Sequence, residues 1–302
     1  MKNTLTRAVI YVLGGAISYG VLATFVKLAY DGGYKLVEVT MAQYAIGLLY
    51  FIVAALISKI KYKRNPVSLG RPALWLMAGG TTFGLTGYFY YLALQYIPAS
   101  IAVVLLMQTV WMGVIAQSIR QRKMPSPLHG AAVIVAIAGT VLATNAITQL
   151  DQLDIRGLLW GLASAVVYTI ALYTSEVTAP GIDDTGKSLC MLIGATTALA
   201  LVNVRAFDTT FNFSIFWTWG LLLGVFGTII PPLFLNKGLP VTGLGMGSVL
   251  ISIEIPVSIL MAVTFLPEKV SPLQWVGVGC ILCAILLINY KRLSAKSEPA
   301  AP

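Results

Sequence analysis

Charge is scarce in this sequence, histidine occurs once and cysteine three times. Only 10% of the 302 residues are Asp, Glu, Lys or Arg, where a soluble domain carries about 25%. That shortage excludes an ordinary water-soluble globule. His129 has no Cys, Asp or Glu beside it in the chain and cannot build a metal site, so it reads as an interfacial polar residue. Cys190, Cys280 and Cys283 all lie in apolar runs. Cys280-x-x-Cys283 lacks the surroundings of a thiol-exchanging pair and reads as two small apolar residues. There is no GxSxG, no paired membrane Asp and no histidine at depth, which removes the constellations an intramembrane enzyme would need. No cofactor or metal is expected.

Apolar residues make up 58% of the chain, and the mean hydropathy is +0.84. They fall into ten runs. Roughly 20 apolar residues rising ~1.5 Å each match a ~30 Å hydrocarbon core. The spans are 8–30, 37–58, 73–96, 99–119, 127–147, 155–175, 187–204, 215–236, 241–266 and 272–290. The formal charge of +9 comes from loop bias and does not call for nucleic acid. With the N-terminus inside, inner segments hold fifteen Lys and Arg and outer segments four. Both termini are therefore expected in the cytoplasm, in a multi-pass protein of the plasma (inner) membrane.

The chain also reads as two copies of one unit, residues 1–150 and 151–302, the second with a short cytoplasmic tail. Gly80-x3-Gly84-x2-Gly87 in span three matches Gly220-x3-Gly224-x2-Gly227 in span eight. Ser126-Pro127-Leu128 matches Ser271-Pro272-Leu273, and Gln108 in span four aligns with Glu254 in span nine. Five spans per copy is an odd number, so the second copy is inverted relative to the first. The expected fold is all-α and integral to the membrane: ten transmembrane helices as two inverted five-helix repeats. Inverted repeats mark alternating-access carriers, with the substrate site near the midplane between them.

Glu254 is the one ionisable residue near the middle of span nine, with Pro256 two positions on. A carboxyl group at that depth costs at least about 2.5–3.5 kcal/mol. A facing partner, a water-filled cavity or a proton must offset that cost. Pro256 is expected to free the carbonyl of Ser252 beside the acid, and Pro231-Pro232 to break span eight and expose carbonyls toward a cavity. Tyr88, Tyr90 and Tyr91 follow the glycine face of span three; Tyr88 and Tyr91, with Trp111, Trp160 and Tyr168, are the aromatic cavity candidates. Lys27 and Glu176, near the outer and inner ends of spans one and six, are candidate gate charges beside Pro231 and Pro256. Gly181-x4-Gly186-Lys187-Ser188 satisfies the P-loop pattern, but Asp183 and Asp184 would repel phosphate, so no nucleotide is expected. Those acids instead suit the start of span seven.

Leu92-Ala-Leu94-x-Tyr96 running almost directly into span four, Glu254-x-Pro256, and Pro267-Glu268-x-Val270-Ser271-Pro272 before a short last span resemble the drug/metabolite transporter superfamily, in particular its EamA-type members. The resemblance covers essentially the whole chain. It implies a secondary carrier, usually an exporter, with a cavity lined by spans one, three, four, six, eight and nine. Span two departs from it, with Ala42-Gln43-Tyr44 where many relatives place an arginine before an aromatic. The expected substrate is a small neutral or cationic metabolite such as an amino acid, an amine or an amphipathic drug-like compound, with proton coupling through Glu254. A facilitated exchanger or uniporter is the alternative, followed by a membrane scaffold or an intramembrane enzyme. The expected partners are that small molecule, the lipid bilayer and, as a candidate assembly, a homodimer.

Overall fold

A computed structural model of the chain describes residues 2–62, 70–122, 124, 126–144, 154–175, 182–204 and 211–295. Among these the fold is all helical. The first repeat supplies α1 (Lys2–Asp31), α2 (Leu36–Tyr62), α3 (Arg71–Leu94), α4 (Ala99–Leu106), α5 (Thr109–Gln121) and α6 (Pro127–Ala143). The second supplies α7 (Ile155–Ser175), α8 (Asp184–Val202), α9 (Gly220–Gly224), α10 (Ile230–Ile251), α11 (Glu254–Phe265) and α12 (Pro272–Ala295). Five described stretches are long and apolar enough to cross a membrane, the longest being Thr4–Asp31. Shorter apolar helices accompany them, including Pro127–Ala143 and Val249–Phe265.

The two halves interlock reciprocally. In the first half's terms, α1 packs on α10 and α11 while α3 packs on α7 and α8. The glycine motifs explain how closely. A Cβ at Gly80 would strike the Met191 backbone, and one at Gly194 the Met77 backbone, so α3 and α8 touch main chain to main chain. On the other side of the pseudo-symmetry, Gly220 and Gly224 of α9 lie against Ala42 and Ile46 of α2. The last span of each half, α6 and α12, pair with Gly139 facing Gly277. The buried core runs from α1 through α3 and α4 to α11 and α12.

Span six spans 155–175 as expected, and span seven begins earlier, at Asp184. Asp183 accepts from the Gly186 N–H at 2.7 Å, capping α8, and Lys187 lies 3.7 Å from Asp184. The P-loop-like residues described here thus start a helix. Two expectations about proline need correction. Span eight is not broken at Pro231-Pro232; it takes a π-helical turn over Val225–Ile229 and continues into α10. Prolines 231 and 232 have no N–H to reach back four residues, and the Ile230 N–H bonds to the Val225 carbonyl instead. Nor does Pro256 leave the Ser252 carbonyl bare, because that oxygen accepts from the Ile255 N–H at 3.1 Å. Spans eight and nine share α10, which contains Pro240. Phe234 meets Gly14 and Glu254 meets Gly20 along α1, so the chain doubles back between them.

Candidate functional site

Spans four and nine are each interrupted at the same place in their repeat. Met107 and Gln108 separate α4 from α5, and Ser252 and Ile253 separate α10 from α11. The residue before each resumed helix has nearly the same backbone: φ −60°, ψ −19° at Gln108 and φ −59°, ψ −19° at Ile253. Both breaks are closed by tightened turns, with Gln108 N–H on the Leu105 carbonyl and Ile253 N–H on the Leu250 carbonyl. Glu254 is the first residue of α11 and therefore sits at the positive end of that helix.

Beside the second break lies a cavity of about 70 Å³. Glu254 and Tyr168 line it from the second half, with the Gly227 backbone of the π turn. From the first half come Tyr19 and Leu22 of α1, Gln43 and Tyr44 of α2, and Phe83, Thr86, Tyr90 and Tyr91 of α3, with Leu106 from the end of α4. Its wall is braced from behind. The Tyr91 hydroxyl donates to Gln43 Oε1, and the Gln43 carbonyl accepts from the Thr228 hydroxyl at 3.1 Å. Tyr44 donates to the Phe83 carbonyl at 3.3 Å, and Ser18 of α1 to the Phe226 carbonyl in the π turn at 2.8 Å. Gly87 and Gly227, the third glycines of the two motifs, lie against Tyr44 and Gln43, where any Cβ would collide. Glu254 is 6% exposed and makes no ion pair among the described residues.

Of the residues singled out in the sequence, the structure brings Glu254, Tyr91 and Tyr168 together on this cavity. Gln108 is buried but turned away from it: its Nε2 donates to the Val104 carbonyl at 2.8 Å, and its Oε1 accepts from Trp111 Nε1 at 2.7 Å. Trp111 packs with Ala132, Ala136 and Ala284. Trp160 stacks on Phe89 with ring centroids 5.4 Å apart, and Tyr88 packs edge-on to the same ring. Neither lines the cavity. Glu176 lies outside the described residues. Sequence reasoning passed over Tyr19, Gln43, Tyr44, Phe83 and Thr86, while Tyr90, named on the glycine face of span three, does line the cavity. The one available signal was at Gln43-Tyr44, the departure in span two, which adds that span to the lining.

Toward the other end of α1, Lys27 Nζ stands 3.9 Å from Glu268 Oε1. The Glu268 carboxylate also accepts from the Ala99 N–H at 2.7 Å, the Ser100 N–H at 3.2 Å and the Ser100 hydroxyl at 2.7 Å. Pro98 offers α4 no side-chain cap, so the acid of the other repeat supplies it, favoured by the helix dipole. Glu38, missed in the sequence, is 1% exposed and ties the Lys35 N–H (2.7 Å) to the Asn212 N–H (2.8 Å). Tyr30 donates to the Tyr91 carbonyl at 3.0 Å, binding α1 to α3 between this end and the cavity.

A solved crystal structure of another protein, 16% identical, superposes with a TM-score of 0.65 over 97% of this chain and 99% of its own. It shows that the fold is shared. No curated protein matches this chain. Residues 6–145 and 155–290 each match the EamA-like transporter family. With both halves matched, and with interlocked halves framing a largely apolar cavity that holds Glu254, the chain belongs to the EamA-like transporter family of membrane transporters within the drug/metabolite transporter superfamily and is not an enzyme.

Proposed function

We propose that this chain is a secondary carrier that exports a small neutral or cationic metabolite by alternating access, exchanging it for protons at Glu254. One observation carries the reading: a carboxyl group buried at a cavity between the two halves, with no cation paired to it among the described residues. A buried bare carboxylate is costly. A proton or a cationic substrate group relieves that cost, and one site cannot hold both. Competition of that kind couples the two fluxes. The repeats, taken as 1–150 and 151–302, would rock about the close α3–α8 and α2–α9 contacts. The Lys27–Glu268 pair and the Glu38 clamp would close the outer side, with both termini in the cytoplasm and the protein in the plasma (inner) membrane.

The test is counterflow in proteoliposomes containing the purified full chain. A carrier gives saturable uptake of labelled solute that is accelerated by unlabelled solute trapped inside. Linear, unsaturable flux for every solute tried would contradict the proposal.

A further inference from the structure

The chemistry of the cavity wall narrows the substrate further. Tyr19, Tyr90 and Tyr168 line it, and among the described residues their hydroxyls have no protein partner. All three lie within electrostatic reach of Glu254. Tyr44 and Tyr91 face the same space, but their hydroxyls are already committed to Phe83 and Gln43. None of the lining residues is Lys, Arg or His. The nearest cation along α1, Lys27, is engaged by Glu268 and borders a different, outer pocket. On α10, Lys237 lies over the Tyr11 ring, 5.7 Å from its centroid.

Half-helix N-termini can hold a substrate carboxylate, but most of the donors at this one are spent within the chain. The N–H groups of Ile253, Ile255 and Val257 are bonded to the Leu250, Ser252 and Ile253 carbonyls, and Pro256 has none. The positive end of α11 already carries the carboxyl group of Glu254. A substrate carboxylate would therefore meet an acid and neutral donors, with no counter-charge.

We infer that the substrate is a protonated amine with an aromatic or apolar body and no carboxylate, that is, an amine and not the amino acid that shares its side chain. This inference rests on the carrier site proposed above. The ammonium group sits against Glu254 and the free phenol oxygens, where the ring faces also attract a cation. The body lies among Leu22, Phe83 and Leu106. A substrate carboxylate fails because like charges brought together away from water repel by more than a tenfold change in affinity.

The experiment compares matched compounds on the wild-type chain in proteoliposomes. Vesicles are loaded with phenethylamine, uptake of labelled phenethylamine is followed, and phenylalanine and phenylalaninamide are added as competitors. The amide keeps the size of the amino acid and removes its negative charge. The expected result is saturable phenethylamine counterflow, inhibited by phenylalaninamide at concentrations at least about tenfold lower than phenylalanine requires. Equal inhibition by phenylalanine, or phenylalanine counterflow without phenethylamine counterflow, would overturn the amine assignment and leave the carrier reading standing. Phenethylamine binding in a thermal-shift assay without counterflow of any solute would support amine recognition and overturn the carrier reading. Neither binding nor flux of any amine would overturn the assignment.

Discussion

The two helix breaks share a backbone and differ in what their polar residue does. At the first, Gln108 spends its amide internally, one end on Val104 and the other on the Trp111 indole. At the second, Glu254 lines the cavity with no cation paired to it among the described residues. Duplication has supplied the same interrupted helix twice, and the chemistry has been placed in only one copy. On the proposed reading the first break acts as a brace and the second as a site.

The comparison predicts its own hardest test. A double variant, Glu254→Gln with Gln108→Glu, should show no gradient-driven accumulation, because an acid at the first break lies outside the cavity. Accumulation above empty vesicles would mean that the two breaks are interchangeable. Next in size is Gln108→Leu, which strands the buried Trp111 N–H. It should lower stability by about 1–3 kcal/mol in a denaturation series, with flux per folded molecule within about twofold of wild type. A large loss of flux without a loss of stability would give the first break a direct transport role. Glu268→Gln keeps a cap for α4 and removes the charge facing Lys27. It should cost about 1 kcal/mol and raise labelling of a cysteine placed at Leu94 by an impermeant reagent from outside. Unchanged labelling would remove the outer closure from the account. The smallest effect is expected at Lys187→Ala, where a half-exposed pair worth less than about 1 kcal/mol is lost. Transport should be as in wild type, checked by counterflow, and neither protein should bind ATP in a nucleotide titration.

Much of the architecture was legible in the sequence because a bilayer imposes length and hydropathy on every span. Residues 155–175 stand out on those terms alone. The duplication was legible in the glycine spacing, since close helix contacts tolerate little else at Gly80 and Gly220. The lining was less legible. Lipid and a partly apolar cavity ask for the same residue types, so nothing in the sequence separates Tyr90, which faces the cavity, from Tyr88, which packs on Phe89. Trp111 and Trp160 were attractive for their size, and size is what makes them useful as braces. The π turn was hidden as well: two prolines show that helical bonds are missing, and only packing against Ser18 and Gln43 decides how the chain absorbs the loss.

The central claim is that Glu254 carries the proton. Uptake driven by a pH gradient, measured for wild type and Glu254→Gln in proteoliposomes with matched amounts of folded protein, tests it most directly. The account predicts accumulation above equilibrium for wild type and none for the variant, which still folds because glutamine keeps the shape and most of the hydrogen bonding of the acid. Equal accumulation by both proteins would contradict it and return Glu254 to a structural role.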